Sequence, residues 1–300
     1  MLFDTHAHFF TDDVARYPVD LTGAREGAEA MRARLERDPA TAEHVLALWR
    51  KAGVAGGAAV QYNTVYKTDN SYAVAVADAY RDKVSAVLIF DATAPDTPDR
   101  LHALATAHNV SGLRLFGYPD AAGAYPWLDS PEALATWDIA TALGLRMIVM
   151  YAPGKPSQAA LGRIAALAKR YQETVIALDH CGWPGLEGGV AGTIGPEHLG
   201  LVDLPNVYFK LTQINFNRFT ETGIDTAAFV RLLVDTYGAD RVMWGSDFGN
   251  TKMGYKEMVA EAIAATRLLD DVEREKLLHA NGARLFAGRP DQSVAAAGRG

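Results

Sequence analysis

The stretch VSAVLIFD, residues 84–91, is an apolar run rich in β-branched residues that ends on an aspartate. Similar runs recur along the chain and are separated by longer amphipathic segments. A strand that is apolar nearly throughout is typical of a parallel sheet whose two faces are both covered by helices. Residues 84–91 therefore predict a buried parallel strand, and they set the pattern for the rest of the chain.

The recurrence of this pattern predicts an α/β fold. The predicted strands are 2–7, 54–61, 84–91, 112–116, 145–151, 174–180, 206–211 and 241–247. The predicted helices are 41–52, 70–81, 97–108, 130–143, 156–170, 224–237 and 254–267. Eight alternating strands over this length favour a (β/α)8 TIM barrel. No G-x-G-x-x-G or P-loop sequence follows a strand, so the usual reason for an open nucleotide-binding sheet is missing.

The chain shows no linker that would divide it into two domains. We expect residues 1–287 to form one barrel domain. Residues 9–40 are a long insertion after the first strand, and we expect them to form a lid or a flank over the barrel mouth. Residues 288–300 are small and polar, and they predict a disordered tail.

Composition narrows the class of protein. Hydrophobic residues make up 49% of the 300 residues and charged residues 22%, which is typical of a globular protein with a substantial core. A formal net charge of −7 gives no reason to expect nucleic acid, and no apolar run approaches the roughly 20 residues that span a membrane. The single cysteine, Cys181, excludes an internal disulfide. We expect a cytoplasmic protein with a small-molecule partner, and a homo-oligomer is left open.

Polar side chains collect near the predicted strand ends, where a barrel of this class carries its chemistry. In chain order they are His6, His8, Gln61, Asp91, Arg114, Tyr151, His180, Lys210 and Asp247. Charged residues are rarely buried without partners, so this set predicts a shared polar cavity. Gln61 and Asp91 are expected only to cap loops.

Strand alternation assigns faces to these residues. Asp4, His6 and His8 are predicted to share one face of the first strand. His180 and Asp179 are predicted to point to opposite faces of the sixth strand. Arg114 stands between two leucines that would face the helices, so its guanidinium is predicted to point into the barrel.

Three imidazoles and one carboxylate suit two kinds of site. His6, His8, His180 and Asp247 could hold a zinc-type ion that keeps one coordination position open for water. They equally suit a metal-free site, in which histidines donate to a carbonyl and Asp247 takes a proton from water. The sequence WGSDFG, residues 244–249, is not a G-x-S-x-G elbow, so a serine hydrolase is not expected.

Three motifs resemble the amidohydrolase superfamily: FDTHAH at residues 3–8, DHCG at 179–182 and GSD at 245–247. GLRLF at 112–116 and NGARLF at 281–286 narrow the resemblance to the amidohydrolase-related (amidohydrolase 2) branch, which includes 2-pyrone-4,6-dicarboxylate lactonases and sugar lactonases. The resemblance covers about residues 2–287.

The resemblance implies a role for each matched residue. It implies that His6, His8 and Asp247 bind a metal where one is present, and that His180 polarises or protonates the substrate. Many metal-dependent relatives have a further histidine at the end of the fifth strand, where this chain has Tyr151. A site with one zinc ion and a metal-free site therefore both remain possible, and Tyr151 slightly favours the metal-free site.

The sequence thus predicts a hydrolase that opens a lactone of a small, carboxylate-bearing catabolic intermediate with an activated water. Arg114 would bind a substrate carboxylate, with Lys210 or Arg218 as a second anchor. Asn215 and Tyr151 would set specificity. The alternative is a non-oxidative decarboxylase of an aromatic or muconate-type acid on the same scaffold, and Tyr151 counts against it.

Overall fold

The computed structural model describes residues 1–152 and 157–288. Eight parallel strands form one sheet in which each strand pairs with the next in chain order. The strands are β1 (Leu2–Ala7), β2 (Val54–Val60), β3 (Val84–Ile89), β4 (Val110–Gly117), β5 (Arg146–Tyr151), β6 (Ile176–Leu178), β7 (Val207–Thr212) and β8 (Val242–Gly245). All eight predicted strands are confirmed, with ends shifted by a few residues.

Helices follow the strands and cover the outside of the sheet. They are α1 (Ala28–Arg37), α2 (Ala42–Ala52), α3 (Asn63–Tyr66), α4 (Ser71–Ala79), α5 (Thr97–Ala107), α6 (Pro126–Asp129), α7 (Pro131–Ala142), α8 (Ser157–Arg170), α9 (Pro196–Leu199), α10 (Gln213–Thr222), α11 (Thr226–Tyr237), α12 (Tyr255–Ala265), α13 (Asp271–Glu275) and α14 (Asn281–Phe286). A π-helical turn, Lys276–Ala280, joins α13 to α14. The seven predicted helices are confirmed. The predicted tail lies outside the described residues except for residue 288.

The barrel is closed by contacts between β1 and the segment that follows β8. The His8 amide donates to the Phe248 carbonyl at 2.8 Å, and the Asp247 amide donates to the His6 carbonyl at 2.7 Å. Ala7 and Phe248 also form a parallel bridge. Because these bonds join the two ends of the sheet, they also place the two histidines of β1 beside the aspartate. This arrangement is the (β/α)8 TIM barrel predicted from the sequence.

An apolar layer fills the lower part of the barrel. Its members are Phe3, Ala58, Val60, Val87, Ile148, Ala177 and Met243 from six strands, with Leu285 and Phe286 of α14 packed against them. Phe286 is also tied to β3, because the Ser85 hydroxyl donates to its carbonyl at 2.6 Å. The C-terminal helix therefore forms the floor of the barrel, opposite the end that carries the polar residues.

The insertion after β1 reaches the barrel mouth. Glu26 forms ion pairs with Arg34 of α1 and with Lys252 of the loop after β8. Arg25 and Glu26 line a cavity at the mouth. The segment is thus held as a flank beside the opening. Within the described residues, each helix falls short of the length and apolarity needed to cross a membrane.

Candidate active site

Four side chains selected from the sequence meet at the carboxyl ends of the strands. The Asp247 Oδ1 atom lies 3.6 Å from Nε2 of His6 and 3.5 Å from Nε2 of His8. The centroid of the His6 ring lies 4.9 Å from that of His8 and 5.7 Å from that of His180. All four side chains are buried. The predicted convergence is therefore present, while the roles of the four residues stay predictions.

Asp4 does not join this group, so the alternation predicted for β1 is wrong. The pairing of β1 with β2 shifts register between Asp4 and Ala7. The Asp4 carboxylate instead accepts from the Ser246 amide and hydroxyl and from the Tyr255 hydroxyl of α12. Irregular pairing of this kind re-aims side chains next to active sites. Asp4 thus fastens β1 to the β8 loop from outside the pocket.

Asp247 is held by its own loop. Its Oδ2 atom accepts from Asn250 Nδ2 at 2.9 Å and from Thr251 Oγ1 at 2.6 Å, which leaves Oδ1 facing the imidazoles. Burial raises the pKa of Asp247, but the contact with His8 and the imidazoles of His180 and His6 outweigh it and hold the pKa well below its usual range. The carboxylate is therefore ionised at neutral pH.

His6, His8 and Asp247 fit a single metal ion. One ligand atom from each lies within 4.8 Å of the others. His8 Nδ1 donates to the Val60 carbonyl at 2.9 Å, so in the neutral ring Nε2 carries a lone pair and faces the Asp247 carboxylate. Two acceptors that face each other call for a cation or a proton between them. His6 Nε2 is buried without a hydrogen-bond partner among the described residues.

His180 lies on a strained turn immediately after β6. The backbone φ angles of His180, Cys181, Gly182 and Trp183 are 53°, 55°, 66° and 55°, which places four consecutive residues in the left-handed region. Each such residue other than glycine costs roughly 1–2 kcal/mol. The turn breaks the strand alternation, so the prediction that Asp179 points away from the site is wrong. Both Asp179 and His180 point into the barrel, where each lies next to His6.

Hydrogen bonds hold this left-handed turn in place. Tyr151 Oη donates to the Gly182 carbonyl at 2.7 Å, and Asn215 Nδ2 donates to the His180 carbonyl at 2.8 Å. His180 Nδ1 lies 2.7 Å from the Thr212 hydroxyl. Burial lowers the pKa of His180 to about 4, so the imidazole is neutral at neutral pH. Tyr151 and Asn215, predicted to set specificity, thus use their polar atoms on the protein backbone.

A buried cluster of charges lies directly beneath His6. Asp179 Oδ2 accepts from Arg114 Nε at 2.7 Å, and Asp179 Oδ1 lies 3.1 Å from His6 Nδ1. Lys210 Nζ lies 3.2 Å from the same His6 Nδ1 and 3.5 Å from Asp179 Oδ1. Arg114 faces the barrel interior as predicted. Lys210 is fully buried in the barrel interior.

Burial and charge pull the pKa values of this cluster in opposite directions. Burial raises the pKa of Asp179, but the interactions with His6, Lys210 and Arg114 outweigh this effect and lower the pKa well below its usual range. Burial lowers the pKa of Lys210 against the attraction of Asp179. Burial lowers the pKa of His6 to about 3. Asp179 is thus the fixed negative charge around which the basic groups are arranged.

A cavity of about 610 Å³ lies next to the four residues, and Asn250 and Thr251, which bond to Asp247, are in its wall. Two of its wall residues cover the imidazoles, since the Tyr62 ring stacks on His8 at 4.8 Å and the Trp183 ring lies 4.8 Å from His180. Arg218, also in the wall, places its guanidinium 5.1 Å from the Trp183 ring. Burial lowers the pKa of Arg218. The cavity therefore adjoins the four buried residues, with the Tyr62 and Trp183 rings in between.

Sequence reasoning missed several residues that shape the site. Asn250 and Thr251, which fix Asp247, stand only three and four residues after it, and their polar character was a usable signal. Asp179 was visible beside His180 but was assigned to the wrong face. Gln61 caps a loop as predicted, since its amide donates to the Lys67 and Asp69 carbonyls.

Known proteins resemble this chain in sequence and in fold. L-fucono-1,5-lactonase of Burkholderia ambifaria is 27% identical over 185 residues, which is 60% of this chain and 60% of that relative. The probable 2-pyrone-4,6-dicarboxylic acid hydrolase of Acinetobacter baumannii, solved with citric acid, is 19% identical with a TM-score of 0.72 over 95% of this chain and 98% of that one. A zinc-bound amidohydrolase of Burkholderia multivorans is 20% identical with a TM-score of 0.71 over 96% and 100%.

The two solved structures share the barrel fold with this chain. Because their sequence identity to it is low, the comparison with them supports the fold alone. The sequence model of the family described as amidohydrolase (Amidohydro_2) matches residues 3–288. That match includes the eight strands, apart from the first residue of β1, and each of the four residues that converge at the barrel mouth. The chain therefore belongs to this amidohydrolase family.

Proposed function

We propose that the protein is a hydrolase that opens a lactone of a small, carboxylate-bearing molecule. The observation that carries the proposal is the convergence of Asp247 Oδ1 with the imidazoles of His6, His8 and His180 beneath an open cavity. Opening a lactone needs an acceptor for a water proton and donors for the developing oxyanion. The site offers one ionised carboxylate as the proton acceptor, and the imidazoles of His6 and His180 would supply donors.

Asp247 would take the proton of the attacking water. Its low pKa keeps it ionised, and the same low pKa limits its strength as a base. Stabilisation of the oxyanion must therefore contribute a large part of the rate enhancement, and one well-placed donor is worth about 3–4 kcal/mol. If the Thr212 hydroxyl donates to His180 Nδ1, His180 carries its proton on Nε2 and can donate to the oxyanion.

His6, His8 and Asp247 would hold one divalent ion, with zinc the best match to the donor set. Such an ion would act as a Lewis acid and lower the pKa of a bound water. Protein groups would place the substrate: Arg218 lines the cavity, and Arg114 lies deeper beside Asp179. We assign a substrate carboxylate to Arg218, because Arg218 lines the cavity whereas Arg114 is buried beside Asp179.

A panel of acidic and neutral lactones tests this function, with the enzyme assayed after chelator treatment and after zinc addition. We expect hydrolysis of at least one acidic lactone and loss of turnover in Asp247→Asn with the fold retained. Arg218→Met should raise KM for acidic lactones at least tenfold and leave neutral lactones unchanged. Release of carbon dioxide from aromatic or muconate-type acids, without lactone hydrolysis, would instead identify a decarboxylase.

A further inference from the structure

The buried pair of Asp179 and Lys210 presents two different groups to one atom. His6 Nδ1 lies 3.1 Å from the Asp179 carboxylate and 3.2 Å from the Lys210 amine. A neutral imidazole has one protonated nitrogen, so Nδ1 either donates to Asp179 or accepts from Lys210. The other nitrogen, Nε2, takes the opposite state. The neighbour that engages Nδ1 therefore decides whether Nε2 is a donor or a lone pair.

The contact geometry favours Lys210 as the partner. The Lys210 contact meets the angular requirements of a hydrogen bond, whereas Asp179 Oδ1 is buried without a hydrogen-bond partner among the described residues. With Lys210 donating, the His6 proton sits on Nε2, which faces the Asp247 carboxylate. A nitrogen that carries a proton in this way cannot bind a metal.

We propose that Lys210 and Asp179 act as opposed positioning residues that set the His6 tautomer and thereby the affinity of the site for a divalent ion. In the resting site Lys210 keeps Nε2 protonated, as a donor for a substrate oxygen. Binding of a divalent ion requires the proton to move to Nδ1, where Asp179 Oδ1 accepts it at the distance already present. The inference rests on His6, His8 and Asp247 as the proposed site, but not on the identity of the substrate.

The pair of variants Lys210→Met and Asp179→Asn tests the proposal, because it predicts opposite signs. Lys210→Met removes the competing donor, so zinc should bind at least about tenfold more tightly in competition with a chromophoric chelator. Asp179→Asn removes the acceptor, and loss of such an outer partner of a ligating histidine costs about 10–100-fold in metal affinity. Lys276→Met, which removes a lysine paired with Asp240 at a distant surface, should leave zinc affinity unchanged.

A measurement on the unsubstituted protein keeps the test decisive if a variant does not fold. Nitrogen NMR of histidine-labelled protein reports which ring nitrogen carries the proton, and the His6 signal is assigned by its loss in His6→Asn. We expect Nε2–H without metal and Nδ1–H after zinc addition. A resting Nδ1–H tautomer, or weaker zinc binding in both variants, would overturn the proposal. Neither readout uses turnover, so failure to hydrolyse lactones would refute the proposed function alone.

Discussion

Replacing Tyr151 with phenylalanine distinguishes a support for the left-handed turn from a residue that contacts substrate. The phenol donates to the Gly182 carbonyl, which also accepts from His198 Nε2 at 2.8 Å. Because the carbonyl keeps one partner, the substitution should cost about 1 kcal/mol, the net value of one hydrogen bond. The bonds of the turn to Asn215 and Thr212 also remain, and they still oppose the roughly 3–6 kcal/mol of strain from three non-glycine residues in the left-handed region. The turn should therefore loosen and not collapse.

The expected result is a modest loss of both stability and turnover. The melting temperature should fall by about 2–4 °C. A displacement of His180 by a fraction of an ångström should lower kcat about tenfold, since an error of 1 Å costs about a hundredfold. KM should stay within about twofold, because the phenol is directed at the backbone.

The assay combines thermal unfolding with steady-state kinetics on the lactone that is hydrolysed fastest. Tyr171→Phe is the matched control, since its phenol donates to Asp138 at 2.7 Å on the outer helices. It should cost similar stability and leave kcat unchanged. A rise in KM for Tyr151→Phe, with unchanged kcat and melting temperature, would refute the role of Tyr151 as a support for the turn. It would show instead that the phenol contacts the substrate.

Two further predictions concern the pKa values of the buried histidines and the backbone conformation at Gly249. His6 and His180 have pKa values of about 3 and about 4 in the folded protein, below their value near 6.5 in the unfolded chain, so the unfolded chain binds more protons between these limits. The free energy of unfolding should therefore fall as the pH drops from 6.5 towards 4, by about 1.4 kcal/mol per pH unit for each histidine. Urea unfolding of His180→Asn at several pH values should show a dependence on pH that is weaker by the contribution of one histidine. An unchanged slope would show that His180 is not held neutral. Gly249→Ala should abolish activity and lower the melting temperature, because its φ is +90° and a Cβ atom would lie 2.4 Å from the His8 carbonyl oxygen. Gly223→Ala, with φ +71° and no atom within 4 Å, should lower stability alone, and equal activity losses in both variants would contradict this reading.

The fold was predictable because its signals are local and repeated. Strands such as Val84–Ile89 are apolar throughout, and each is followed by an amphipathic helix. The convergence of His6, His8, His180 and Asp247 was predictable because all four stand at strand ends. The positions at which side chains stop alternating between the two faces of a strand could not be predicted. The register shift in β1 and the left-handed turn at His180 depend on tertiary bonds, from Ser246 to Asp4 and from Asn215 to the His180 carbonyl.

The same limit applies to Tyr151 and Asn215, whose hydrogen bonds to backbone carbonyls could not be predicted from the sequence. Both are polar residues near strand ends, and the sequence does not reveal that a distant carbonyl group has already engaged them. The carbonyls they bond become available only because the turn after β6 runs in the left-handed region, which the residues DHCGW themselves do not demand. The hydrogen-bond partner of a buried polar side chain is determined by the tertiary packing of the chain.

The floor formed by α14 has a consequence for how the molecule is made. Leu285 and Phe286 plug the barrel beneath Phe3, so the first strand finds its packing partner among the last described residues of the chain. Chains emerge from the ribosome amino end first, and contacts between remote segments form late. Until Leu285 and Phe286 have been synthesised, we therefore expect the base of the barrel to stay open and Phe3 and Val87 to be exposed to water. Premature termination before Leu285 should yield a product that depends on chaperones or is degraded.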